Sequence, residues 1–96
     1  MRKSMKKFLK THNAPKETTL KDIVKDAKLA FYFAADIIQG RWPEAEPTIA
    51  KNAEWACCYA QYVIKGRWPE AEPTIAKDPY FAKYYIRYAG KKFANI

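Results

Sequence analysis

The chain has 96 residues and a formal net charge of +8, with 49% apolar residues and only three glycines. That length supports one compact domain that buries about 60–70% of its unfolded surface and leaves no room for a second, and the composition excludes a low-complexity disordered chain. The charge is uneven: residues 1–28 hold nine Lys/Arg against three Asp/Glu, residues 29–76 four against six, and residues 77–96 five against one, so any affinity for polyanions belongs to the two ends.

The first element in chain order is a basic amphipathic helix or arm over residues 1–14. Met1, Met5, Phe8, Leu9 and His12 share one helical face, Arg2, Lys3, Lys6, Lys7 and Lys10 surround it, and Asn13-Ala14-Pro15 ends it. The arm reads as a cap over the segment that follows, with nucleic acid, a partner groove or a membrane surface as alternatives. The membrane fits worst, because the apolar stripe is short. No apolar run follows the charges as in a secretory leader, and no stretch approaches the ~20 apolar residues of a membrane span, so a soluble cytoplasmic chain is expected. Thr19 with Asp22 then offers a start resembling a capping box, opening a half unit that contains Ile23-Val24-Lys25.

A repeat governs the rest. Gly-Arg-Trp-Pro-Glu-Ala-Glu-Pro-Thr-Ile-Ala-Lys runs from Gly40 to Lys51 and returns unchanged from Gly66 to Lys77, a period of 26 residues. The segments between the blocks align as well. Leu29, Trp55 and Phe81 form one column; Ala30, Ala56 and Ala82 follow; then Phe33, Tyr59 and Tyr85; Ala34, Ala60 and Ile86; Ile37, Val63 and Ala89, with Ile38 and Ile64 beside them. The positions i, i+1, i+4, i+5, i+8 and i+9 lie on one face of an α-helix.

The spacing predicts longer helices over 27–39, 53–65 and 79–92. Asp26, Asn52 and Asp78 stand at their N-caps, and Gly40 and Gly66 at the left-handed position after their ends. Pro43 and Pro69 belong at a helix start, where a missing N–H is harmless. Pro47 and Pro73 follow too soon for one continuous helix, so a distorted turn leads into one or two turns around Thr48-Ile49-Ala50 and its copy. Glu44, Glu46, Glu70 and Glu72 lie near the positive end of that short element.

The blocks ending Ile-Ala-Lys-Asp-Pro, followed by Tyr-Ala spaced along a helix, resemble a short tandem helical repeat of uncharacterised phage- and prophage-associated proteins. The resemblance covers residues 25–90 and rests on the unusual run Trp-Pro-Glu-Ala-Glu-Pro. It implies a phage setting, hence the host cytoplasm, and a helical array. It brings no activity, cofactor or catalytic residue. The chain departs from such arrays in being short, so its terminal helices must act as caps.

The residues speak against catalysis. The chain has one histidine, His12, and one serine, Ser4, with no orienting partner in view. The four glutamates recur identically and so serve the repeat. Cys57 and Cys58 are adjacent, which suits neither a disulfide nor a metal site; they read as small fillers in a reducing compartment. Trp42 and Trp68 are expected to pack between successive helices with the indole N–H on a turn carbonyl. Arg41 and Arg67 are expected to pair with a carboxylate of a neighbouring copy. Gly40, Arg41, Trp42 and Pro43, with Gly66, Arg67, Trp68 and Pro69, thus form a structural signature.

Variable columns are better candidates for binding. They read Lys28, Glu54, Tyr80; Tyr32, Cys58, Tyr84; Asp36, Tyr62, Tyr88. Tyr80, Tyr84 and Tyr88 recur every four residues, with Lys83, Arg87 and Lys91 beside them. Tyrosines interleaved with basic residues can stack bases and hold phosphates, can meet an acidic protein surface, or can pack against the N-terminal arm or a second subunit.

The expectation is therefore an all-α chain: one domain over 1–96, a short α-solenoid-like array of helix–turn–helix units over 25–50 and 51–76, capped by 1–14 and by a degenerate third unit over 77–96. Its expected role is non-enzymatic, without cofactor, metal or membrane: a phage accessory protein that binds a host protein or nucleoprotein complex, as in host takeover or inhibition of host defence. Candidate contact residues are Tyr62, Tyr80, Lys83, Tyr84, Arg87, Tyr88 and Lys91, with Lys3, Lys6, Lys7 and Lys10. Two other readings stay open, a nucleic-acid-binding protein using the basic ends and the C-terminal tyrosines, and a structural homo-oligomer, a dimer included, or virion part.

Overall fold

A computed structural model describes the backbone of residues 2–89 and, apart from residues 2–4 and 88, their side chains. Met1, Lys91 and the 90–92 end of the expected last helix lie outside the described residues, as do the side chains of Lys3 and Tyr88. Among the described residues every regular element is helical. In chain order they are α1 (Arg2–Thr11), α2 (Leu20–Val24), α3 (Ala27–Phe33), α4 (Glu46–Ile49), α5 (Ala53–Tyr59), α6 (Glu72–Ala76) and α7 (Pro79–Ala89). A 3-10 turn, Pro69–Ala71, leads into α6. No helix among the described residues is long and apolar enough to cross a membrane.

The helix starts follow from their caps. Asp26, Asn52 and Asp78 each accept a hydrogen bond from the backbone N–H three residues on, at 3.1, 3.2 and 3.3 Å, a device worth ~1 kcal/mol per helix. Thr19 and Asp22 close a full capping box on α2. Pro47 and Pro73 occupy the first turns of α4 and α6, where the proline nitrogen has no helical partner to lose.

The ends of the long helices differ from the expectation. α3 and α5 widen into π turns, Ala34–Ile38 and Ala60–Ile64. In each, two successive N–H groups converge on one carbonyl: Gln39 and Gly40 on Ala34, at 2.7 and 3.2 Å, and Lys65 and Gly66 on Ala60, at 2.7 and 3.1 Å. The left-handed residues are Gln39 and Lys65, with φ of 60° and 63°; neither Gly40 nor Gly66 has φ in that range. The turn closes one residue earlier than the glycines suggest, because the wider loop uses up the extra residue. A Cβ at either glycine would meet nothing within 4 Å. Gly66→Ala is therefore expected to leave stability unchanged or to raise it by up to about 1 kcal/mol; a loss above that in thermal unfolding would make the glycine itself the strained position.

The core lies where elements 26 residues apart present the same side chains. Ile23, Ile49 and Ile75 are fully buried, as are Ala45 and Ala71, and Ala30 and Ala56. Alanines at these positions let the helices approach closely. Phe8 and Leu9 of α1 are also buried, with Phe8 edge-on to Phe33 at 5.4 Å. The described part spans 44 × 20 × 20 Å.

Candidate functional site

The block common to both copies builds a polar clamp. Arg41 and Glu46 stand on either side of the turn at Pro43, so they meet across it and not along a helix. Arg41 donates Nε to Glu46 Oε2 at 2.8 Å and Nη2 to Oε1 at 3.0 Å; Arg67 makes the same fork to Glu72, both bonds at 2.8 Å. Each arginine thus pairs within its own copy, not with a neighbouring one as expected. The link to the next helix is a tyrosine. Tyr59 accepts the Trp42 backbone N–H at 2.7 Å and donates its hydroxyl to Glu46 at 2.8 Å. Tyr85 does the same for Trp68 and Glu72, at 2.7 Å in both bonds.

The tryptophans lie beside these clamps. Trp68 is 1% exposed and its ring lies 4.8 Å from that of Tyr59; Trp42 is buried 5.0 Å from Phe33. The Trp42 indole N–H donates to the Glu44 carboxylate at 2.9 Å, where a turn carbonyl was expected.

Electrostatics follow from the clamp. The Arg41 and Arg67 forks hold the Glu46 and Glu72 carboxyls below their ordinary value, outweighing the burial that opposes this. Burial, then the bond to Glu72, pushes the Tyr85 phenol up to about 12, and burial with the bond to Glu46 raises Tyr59. A carboxyl with a depressed folded pKa contributes stability that is complete above its unfolded value and lost as pH falls through the folded one. Stability is therefore expected to hold down to about pH 5 and to decline as pH drops through and below the 4.5 typical of an unfolded glutamate. Glu72→Gln should be less stable at neutral pH and flatten this acid slope in urea unfolding; an unchanged slope would remove Glu72 from the account.

The remaining chemistry-bearing groups are scattered. Among the described residues no three or more His, Cys, Asp or Glu side chains gather as for a metal ion. Cys57 is buried, its thiol 3.8 Å from the Phe81 carbonyl oxygen, and Cys58 is half-buried, neither of them in a disulfide; burial raises the Cys58 thiol to about 11. His12 has partners its sequence position does not reveal: it stacks on Tyr32 at 4.5 Å, tilts against Phe8 at 4.5 Å and lies 3.9 Å from Asp36.

The variable tyrosines are placed differently. Asp78 caps α7 by accepting from Tyr80 and Phe81 N–H groups, and Tyr85 turns inward as the clamp. That orientation leaves positions 80, 83, 84 and 87, spaced i, i+3, i+4 and i+7, on one outward stripe. Tyr80 is 60% and Tyr84 46% exposed, their rings edge-on at 5.1 Å, and Lys83 and Arg87 are exposed beside them. Tyr62 is also 60% exposed, 6.2 Å from Phe31. Lys6, Lys7 and Lys10 are exposed on α1, which rests on Phe33 and Tyr32, whereas α7 packs on α5 and α6. The tyrosine stripe is thus not covered by the arm.

No family model, curated protein or solved structure matches the chain.

Proposed function

We propose that the chain is a non-catalytic binding module, a short α-solenoid-like array that presents the α7 stripe to a host macromolecule in a phage setting. The array reading is supported by clamps recurring 26 residues apart and by how the copies differ at their ends. Phe31 and Cys57 are buried, while Lys83 in the same column is exposed; Ala34 and Ala60 are buried, while Ile86 is 39% exposed. A charge and a bulkier side chain where the other copies have buried small or apolar ones suit a face that no further unit covers among the described residues. Phe8 on Phe33 suits a cap at the other end.

The observation that carries the binding reading is the exposed Tyr80, Lys83, Tyr84 and Arg87 on one face. Tyr and Arg are the residues that most often dominate a protein interface. Affinity capture from host lysate, with nuclease present, is expected to return a stoichiometric protein partner. Tyr84→Ala and Arg87→Ala should weaken it by about 1–2 kcal/mol each. Capture that is indifferent to both substitutions would sink this surface as the site. The nucleic-acid reading draws on the same interleaving of rings and cations and predicts oligonucleotide affinity falling steeply with salt. The homo-oligomer reading predicts a concentration-dependent mass in light scattering.

A further inference from the structure

A second surface has a different chemistry. α1 ends in a left-handed turn at Asn13, φ 56°. Asn13 N–H returns to the Lys10 carbonyl at 3.2 Å and Ala14 N–H to that of Leu9 at 2.8 Å. This is the bonding of a Schellman cap, which brings the residue after the turn onto the side chain a turn back, here Ala14 towards Leu9. The chain therefore doubles back over its own helix. Between them lies an open cleft of about 630 Å³ lined by Lys6, Leu9, Lys10, Asn13, Ala14 and Lys16.

Its floor is aliphatic and its walls are cationic. Leu9 is 5% exposed, so it closes the floor and does not project. Lys6 and Lys10 stand one helical turn apart, and Lys16 comes to the same cleft from the loop. Among the described residues no carboxylate lines it, and none of the three lysines has an ion-pair partner. Three lysines without ion-pair partners thus line one cleft together with the buried Leu9 and the half-buried Ala14.

We infer that this cleft docks a short acidic segment of a partner protein, with an aliphatic side chain seated on Leu9 and Ala14 and flanking carboxylates held by Lys6, Lys10 and Lys16. Charge complementarity selects the acidic occupant. The aliphatic floor favours a peptide over nucleic acid, since base stacking needs aromatic rings and none of the described residues that line the cleft carries one. A recessed floor does not suit a bilayer, which takes projecting apolar side chains. This surface stands apart from the α7 stripe and does not depend on it.

The test is titration of the full chain with a labelled peptide in which one leucine is flanked by glutamates. A matched peptide with serine for leucine and a single-stranded oligothymidine serve as comparison probes. Saturable binding is expected, with amide shifts in an NMR spectrum concentrated between residues 6 and 16. Lys6→Glu with Lys10→Glu should weaken it about tenfold or more, and Lys16→Glu alone should weaken it in the same direction without touching α1. Lys51→Glu with Lys77→Glu, the same change in net charge at exposed positions elsewhere, should change it little. The serine peptide should bind several-fold more weakly. Equal affinity for the leucine and serine peptides, tighter binding of oligothymidine at the same amides, shifts centred on α7, or self-association that displaces the peptide would each overturn the assignment.

Discussion

Trp68→Ala is expected to destabilise the chain by about 3–5 kcal/mol. The indole is 1% exposed and lies 4.8 Å from the Tyr59 ring, so truncation removes a large buried surface and leaves a cavity that helices on either side can only partly close. Whole domains are stable by about 5–15 kcal/mol, which puts the variant near the edge of folding. Trp68→Phe, keeping a ring in the space, should retain part of the loss and remain measurable in urea. The same substitution at Trp42, 8% exposed and bonded through its indole to Glu44, should also be costly. A loss below 1 kcal/mol at Trp68 would mean that the indole contributes little to the core.

Tyr85→Phe removes one oxygen and is expected to cost about 1–3 kcal/mol, the penalty of leaving a buried polar group unmade. The hydroxyl accepts from the Trp68 N–H and donates to Glu72. Without it, a buried backbone donor loses its acceptor and a carboxylate only 8% exposed loses a donor. Ring packing is untouched, so the effect isolates the hydrogen bonds. A Tyr85→Phe, Glu72→Gln double-mutant cycle measured by urea unfolding should be non-additive, since the first removes the donor of their shared bond and the second replaces its charged acceptor with a neutral one. Additive losses would show the two groups to be independent.

The helical class and the caps at Asp26, Asn52 and Asp78 were legible because they depend on neighbours three and four residues away. The clamp was not. Phe33, Tyr59 and Tyr85 align as one apolar column, and nothing local says that the hydroxyl matters; its partners are 17 and 13 residues away and meet it only when the next helix docks. The five-residue spacing of Arg41 and Glu46 belongs to no helical rule, so their pairing depends on the turn between them. The left-handed residues were misplaced by one for a similar reason: glycine is the cheapest occupant of that conformation, yet the π turn sets where it falls. The exposure of Tyr62, Tyr80 and Tyr84 follows the separation of variable from shared columns. The cleft needed three dimensions, because Lys16 joins Lys6 and Lys10 only after the chain reverses at Asn13.

Phe33, the one member of its column without a hydroxyl, has a consequence for how such a chain can change length. It faces no preceding Arg-Trp-Pro-Glu turn and so needs no oxygen; Tyr59 and Tyr85 each follow one. A whole 26-residue copy added after Asp78 would bring its own tyrosine for the turn before it and offer its own turn to Tyr85, leaving every buried donor satisfied. A copy added before α3 would present a turn to Phe33 and orphan a buried N–H. Growth by duplication is thereby directional, open in the interior and closed at the first helix, and a single phenolic oxygen draws that boundary.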